Sequence, residues 1–217
     1  MEKIIIFGTT VFSKMVARYI EMEQAAEVVA FCADEAYINE KTILDKPVIA
    51  FEKADYLYPP CEYKFLNTIG YTKMNKMREY VSQKCMYKGY ELFNYISKKA
   101  EIYEKIDGCN NIIMPNAFVG FGVSMGNNNI IYSGCMLTHD IKIGNNNFLA
   151  ANSTFGGNVQ IGNNCFVGLN ATVKNSVKIG NKCLVGAGTY ISKDIEDEKV
   201  VVPARNTVLE KKSEEFI

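Results

Sequence analysis

From Ile113 to Ile191 every sixth residue is apolar: Ile113, Val119, Met125, Ile131, Leu137, Ile143, Leu149, Phe155, Ile161, Val167, Val173, Ile179, Val185 and Ile191. With about half of all residues apolar, such an unbroken run has odds of about one in ten thousand. Glycine follows at 120, 126, 144, 156, 162, 168, 180 and 186, and the position four after each apolar residue is mostly small or β-branched, as at Ala117, Cys135, Ser153 and Val177. Two inward positions per six, separated by turn residues, do not fit the period of an α-helix. They fit one short strand plus one turn, three of which close a triangular coil. Stacked coils form a parallel β-helical prism whose inward side chains meet their equivalents about 4.8 Å away. Asn145, Asn146, Asn163, Asn164 and Asn181 fall in the turns, where asparagine tolerates positive φ. The pattern predicts coils from about residue 107 to 196.

At 217 residues the chain supports one to two domains and a substantial core. Lys plus Arg is 24 and Asp plus Glu is 24, with no basic stripe, which argues against nucleic acid as a partner. Apolar stretches such as Val28–Ala33 are far too short to span a bilayer, so no membrane insertion is expected. The N-terminus, Met1 to Phe7, lacks the features of a secretory signal. Seven cysteines without a C-x-x-C pair read as reduced, mostly buried thiols, which fits a cytoplasmic protein. One histidine in the chain leaves little with which to build a metal site, and none is expected.

The N-terminal part follows other rules, and the division expected is residues 1–100 against residues 101–217. Lys3 to Phe7 is a continuous apolar run, as in a strand buried on both faces, and ends at Gly8-Thr9-Thr10. A helix over 11–22, strands over 27–32, 47–50 and 63–68, a helix over 72–83 and a last strand over 90–96 complete a small parallel α/β sheet. Ligands of such sheets sit at the carboxyl ends of the strands. There, Gly8-Thr9-Thr10 reads equally as a cradle for a pyrophosphate or as a plain strand-to-helix turn. Asp34 reads as a partner for a ribose hydroxyl or nucleobase edge, or as a helix cap or loop acid; Ile69-Gly70-Tyr71 reads as a close ligand approach or a simple turn.

The single histidine, His139, lies two residues after the inward Leu137 and is predicted to project outward from a turn of the prism. Imidazole exchanges a proton near neutral pH, which suits it to deprotonate an attacking amine or hydroxyl, although a solvated surface histidine is the commoner case. One coil further on stands Gly157, whose missing side chain leaves a gap beside His139 and a backbone N–H for a developing oxyanion; the competing reading is a tight corner. Asp140 is placed either to orient the ring or merely to stand at the rim. Cys135 and Cys165, near in sequence, read as packing.

Gly8-Thr9-Thr10, Asp34, Ile69-Gly70-Tyr71 and the step Leu137-Thr138-His139-Asp140 within the hexapeptides resemble the sialic acid O-acetyltransferase family and the related N-acetyltransferases of nucleotide-linked 4-amino-sugars. The resemblance runs from Met1 to about Arg205. It implies an α/β nucleotide-binding domain followed by a left-handed parallel β-helix that trimerises and takes acetyl-CoA between subunits. It also implies His139 as general base with Asp140 beside it, and Gly157, Ala187 and Arg205 toward acetyl-CoA. Gly8, Thr9, Thr10, Asp34, Ile69 and Gly70 fall to the nucleotide-sugar. The chain departs from the family pattern in its first loop, in Ala187 for a usual glycine and in Val202 before Pro203.

The function expected is acetyl transfer from acetyl-CoA to the amine of a nucleotide-linked amino-sugar, in surface glycan synthesis, by a homotrimer. Two alternatives stand beside it: O-acetylation of a sugar or sialic acid, and a trimer that binds a nucleotide-sugar without catalysis.

Overall fold

The computed structural model describes residues 1–204, 210 and 214. Its N-terminal sheet comprises β1 (Lys3–Phe7), β2 (Glu27–Ala33), β3 (Thr42–Ile43), β4 (Lys46–Ala50) and β5 (Tyr63–Asn67), in the order β3-β4-β2-β1-β5. All pairs are parallel except β3 with β4. Ile4, Ile5 and Ile6 of the central β1 are wholly buried, which is why that strand reads as an uninterrupted apolar run. Helix α1 (Val11–Met22) buries Val16, Ala17 and Ile20 against the sheet and is capped by Thr10, whose side chain accepts from the Ser13 amide.

After the short α2 (Ala54–Leu57) comes α3 (Lys76–Tyr87), which begins four residues later than the 72–83 expectation. The reason is local: Lys73, Met74 and Asn75 all take positive φ, and three consecutive left-handed residues cannot belong to a right-handed helix. The expected strand over 90–96 is also divided. Leu92 bridges to Phe65 of the N-terminal sheet, whereas Tyr95–Ile96 pairs with Ile112–Ile113 and is the first rung of the prism.

The prism therefore starts at Tyr95, well before residue 107. Its phase explains why the repeat does not reveal this: Tyr95 pairs with Ile112 and Glu101 with Phe118, an offset of 17, while later rungs repeat every 18. At the far end Leu184 pairs with Val200, an offset of 16. Three parallel faces result. The first face runs from Tyr95–Ile96 to Val200–Val201 in seven strands, the second from Glu101–Ile102 to Tyr190–Ile191 in six, and the third from Ser124–Met125 to Lys178–Ile179 in four. Residues 113 through 191 of the six-residue series fill the interior together with Cys135, Cys165 and Cys183. Burial pushes the Cys135 and Cys165 thiols up to about 12, so these cysteines are inert packing groups.

Positive φ recurs at every edge, at Asn116, Gly122, Asn128, Gly134, Asp140, Asn146, Asn152, Asn158, Asn164, Asn170, Ser176, Lys182 and Gly188. A left-handed residue each sixth position is what turns the chain, and asparagine and glycine tolerate it best. On the edge between third and first faces, asparagines also tie coil to coil. Asn145 Oδ1 accepts from the Asn127 amide at 2.8 Å, Asn163 from Asn145 at 2.7 Å and Asn181 from Asn163 at 2.9 Å. A second, buried column runs the other way: Oδ1 of Asn111, Asn129 and Asn147 accepts from the amides of Asn129, Asn147 and Cys165 in the coil above.

The N-terminal layer packs on the first face, where Phe12 stacks on Tyr132, and Ile112, Ile130 and Phe148 join the core beneath α1. Glu23, just past α1, accepts from Tyr95 Oη, Ser97 Oγ and the Lys98 amide, clamping the first coil. Among the described residues no helix is long and apolar enough to cross a membrane, and no group of His, Cys, Asp and Glu could hold a metal ion.

Candidate active site

His139 stands on the edge between second and third faces, after the strand Met136–Leu137, whose leucine is fully buried. Because Leu137 points in, the chain that leaves the strand turns outward, and the His139 side chain is 56% exposed. Asp140 is the left-handed residue of that corner (φ 54°), with its amide held by the Phe121 carbonyl one coil below. This conformation swings its carboxylate back beside its own neighbour, and Asp140 Oδ2 lies 2.9 Å from His139 Nδ1. An adjacent pair needs such a corner to meet. With the proton on Nδ1 donated to Asp140, Nε2 carries the lone pair.

Gly157 lies one coil above, and a Cβ there would collide with Cε1 and Nε2 of His139. The imidazole thus occupies the space that glycine leaves. The Gly157 carbonyl accepts from the Ser176 amide, and the Asn158 amide donates to the His139 carbonyl, but no described group accepts from the Gly157 N–H. At the asparagine edge the equivalent amides of residues 127, 145 and 163 are each capped by the next coil. A base with a free lone pair on the exposed His139 and an unpaired backbone donor on the buried Gly157 beside it therefore share one corner.

The other site residues expected from sequence form a second group. Gly8, Thr9 and Thr10 sit at the carboxyl end of β1, and Ile69 and Gly70 just past that of β5. Thr68 Oγ1 donates to the Phe7 carbonyl and lies 2.8 Å from Ser13 Oγ, joining the two loops. A side chain at Gly8 (φ 128°) would strike Ser13 and Thr68. Asp34 does not cap the turn that follows it; its carboxylate pairs with Lys84 of α3 at 2.6 Å. Lys84 in turn lies over the rings of Phe51 and Tyr80.

The two groups do not meet within one chain. The N-terminal layer covers the first face, and His139 is on the opposite edge of the triangle. Ala187 is exposed on the remaining edge, between first and second faces. Arg205 lies outside the described residues.

One central side chain carries no signal in the sequence. Arg78 of α3 is wholly buried, with no carboxylate partner among the described residues. It donates to five carbonyls: Nε to Asn128 at 2.8 Å, Nη2 to Asn146 and Asn147 at 2.9 and 3.0 Å, and Nη1 to Gly70 and Ile69 at 2.7 and 3.3 Å. Burial lowers its pKa to about 9, so it remains a cation at neutral pH. A helix position that is polar in a polar helix reads as surface; only the asparagine corner opposite it makes it a core residue.

The bacterial transferase hexapeptide model (six repeats) matches residues 122–157 and 140–175, and the hexapeptide repeat of succinyl-transferase matches 158–193. No curated protein matches the sequence. Among solved structures, the acetyltransferase domain of PglB from Neisseria gonorrhoeae FA1090 is 20% identical with a TM-score of 0.83, over 94% of this chain and 97% of that one. PerB from Caulobacter crescentus, in complex with CoA and GDP-perosamine, is 23% identical with a TM-score of 0.83, over 94% and 95%. WeeI from Acinetobacter baumannii AYE is 19% identical with a TM-score of 0.73, over 94% and 97%. The protein is thus a left-handed parallel β-helix of hexapeptide repeats carrying an N-terminal α/β layer, the architecture the sequence leads one to expect.

Proposed function

We propose that the protein is an acetyl-CoA-dependent N-acetyltransferase acting on a nucleotide-linked amino-sugar. The observation that carries the reading is the corner of His139, Asp140 and Gly157: a base oriented by a carboxylate through Nδ1, with an unpaired amide donor beside Nε2. The likeness in fold to PerB, solved with CoA and GDP-perosamine, supports the pairing of donor and acceptor.

The reaction is direct transfer. The sugar amine attacks the thioester carbonyl while His139 Nε2 takes its proton, and the Gly157 N–H donates to the oxyanion of the tetrahedral intermediate. Collapse breaks the C–S bond, and the proton held by His139 passes to the departing CoA thiolate. No covalent acyl-enzyme forms. The nucleotide is assigned to Gly8, Thr9, Thr10, Asp34, Ile69 and Gly70, and acetyl-CoA to the Gly157 edge of one copy facing the Ala187 edge of a neighbouring copy. Since one chain holds His139 and the nucleotide loops on opposite sides, the complete site is assigned to the boundary between copies of a trimer.

The test is a screen of UDP-, dTDP- and GDP-linked amino-sugars, each beside its hydroxyl analogue, with acetyl-CoA and detection of released thiol. Thiol release confined to an amino-sugar is the expected result. Release with the hydroxyl analogue only makes the enzyme an O-acetyltransferase, and binding without release makes the protein a non-catalytic binder.

A further inference from the structure

The loop after β5 has two consecutive amides, those of Gly70 and Tyr71, with no partner among the described residues. Their orientation is not accidental. Among the described residues the peptide bonds are all trans, so each peptide N–H points opposite to the carbonyl of the same plane. Arg78 Nη1 holds the carbonyls of Ile69 and Gly70, and so turns the next amides, Gly70 N–H and Tyr71 N–H, away from the buried guanidinium. The loop is open there: Gly70 is half-buried, a Cβ on it would meet nothing within 4 Å, and Tyr71 is exposed. The remaining donors of Arg78 are anchored in the prism, on the carbonyls of Asn128, Asn146 and Asn147. Asn67, whose Oδ1 accepts from the Ile69 amide, ties the root of the same loop to α3 through the Arg78 carbonyl.

From this geometry we infer that Arg78 is a positioning residue: it fixes the Ile69–Tyr71 loop on the prism so that two adjacent amides stand ready for an oxygen-rich anionic ligand, the diphosphate of a nucleotide-sugar. The inference deepens the proposed function and rests on it for the identity of the ligand. The guanidinium never touches the ligand. Consecutive backbone N–H groups form a concave donor pair suited to a phosphate oxygen, and Thr68 joins this loop to the Gly8-Thr9-Thr10 turn across β1 and β5. A lysine in place of Arg78 cannot reach three backbone segments at once, because it carries one donor atom where the guanidinium has three.

Three measurements decide the matter on the full-length protein. In steady-state kinetics, Arg78→Lys is expected to raise KM for the nucleotide-linked amino-sugar about tenfold or more, leaving KM for acetyl-CoA within about twofold. Equal movement of both KM values, or of neither, overturns the positioning role. In amide hydrogen exchange without ligand, the variant is expected to exchange faster across residues 68–75 alone. Faster exchange throughout the α/β layer, or failure of the variant to fold, makes Arg78 a general structural residue and overturns the inference. On the wild type, UDP, dTDP and GDP are titrated against the 15N-labelled protein. Downfield shifts of the Gly70 and Tyr71 amide protons with one of them are expected, and saturable binding that leaves both amides unmoved overturns the assignment of the ligand. If none of the diphosphates binds and the acetyltransferase screen is also silent, the proposed function itself has failed, while exchange in Arg78→Lys still reports on how Arg78 holds the Ile69–Tyr71 loop.

Discussion

At the scale of single residues, the corner chemistry depends on three side chains of which one is absent. His139→Asn keeps a polar group of similar size but has no basic nitrogen, and kcat is expected to fall about 10²–10⁴-fold. The same thiol-release assay checks it, and a variant that keeps full turnover moves the base elsewhere. Gly157→Ala probes the space rather than the base. Gly157 does not take positive φ, so alanine costs nothing in backbone conformation, yet its methyl would occupy the place of the imidazole edge. The expected outcome is an unchanged melting temperature with kcat lowered about tenfold or more, because the displaced ring no longer meets the acceptor in line. His139 was legible in the sequence as a lone imidazole next to a glycine one coil away. Asp140 was legible only as one of two readings, because adjacency in sequence usually keeps two side chains apart; the left-handed corner at Asp140 brings it to Nδ1.

Among elements, the edges of the prism are specialised. The edge of Asn127, Asn145, Asn163 and Asn181 uses amide side chains to cap the amides of the coil below, and Asp197 closes the series by accepting from both the Asn181 amide and its side chain. Those hydrogen bonds hold the Asp197 carboxyl below the usual carboxylate range. A carboxyl whose pKa is depressed by folding stabilises the native state above its unfolded value and loses that contribution as pH falls through the folded value. Asp197→Asn accepts through Oδ1 as the other members do and has no carboxylate to protonate. The gap in urea midpoint between wild type and Asp197→Asn is therefore expected to change between pH 7 and about pH 3, with wild type losing ground in acid. A gap independent of pH counts against the ladder as an electrostatic device. The periodic asparagines announce these turns in the sequence, but the ladder's last member is an aspartate displaced by the short final coil, at an offset of 16 rather than 18.

For the whole molecule, the placement of the α/β layer on one face and the candidate base on the opposite edge makes assembly a requirement of the proposed chemistry. Light scattering after gel filtration is expected to give three times the 24.3 kDa chain mass, and dilution that separates the subunits is expected to abolish transfer before circular dichroism changes. A stable, fully active monomer is the outcome that removes the composite site. Within one chain, Glu23 at the first coil and Arg78 at the asparagine corner dock the layer at two separate points, so the nucleotide loops are held in register with the prism.

A hexad repeat is a local signal, because each six-residue unit states its own inward residue and its own turn, and for that reason the prism, the outward His139 and the bare Gly157 could all be read from the chain alone. The parallel sheet before it was legible for the same reason, in its continuous apolar strands. Tertiary structure alone decided what depends on phase and distance. It started the prism at Tyr95, where a coil of 17 residues slips out of the six-residue count, and delayed α3 behind three left-handed residues. It also buried Arg78, whose five acceptors come from segments up to 69 residues away. No window of sequence contains such a residue's partners, and a guanidinium on a polar helix looks the same whether it faces water or a corner of unpaired carbonyls.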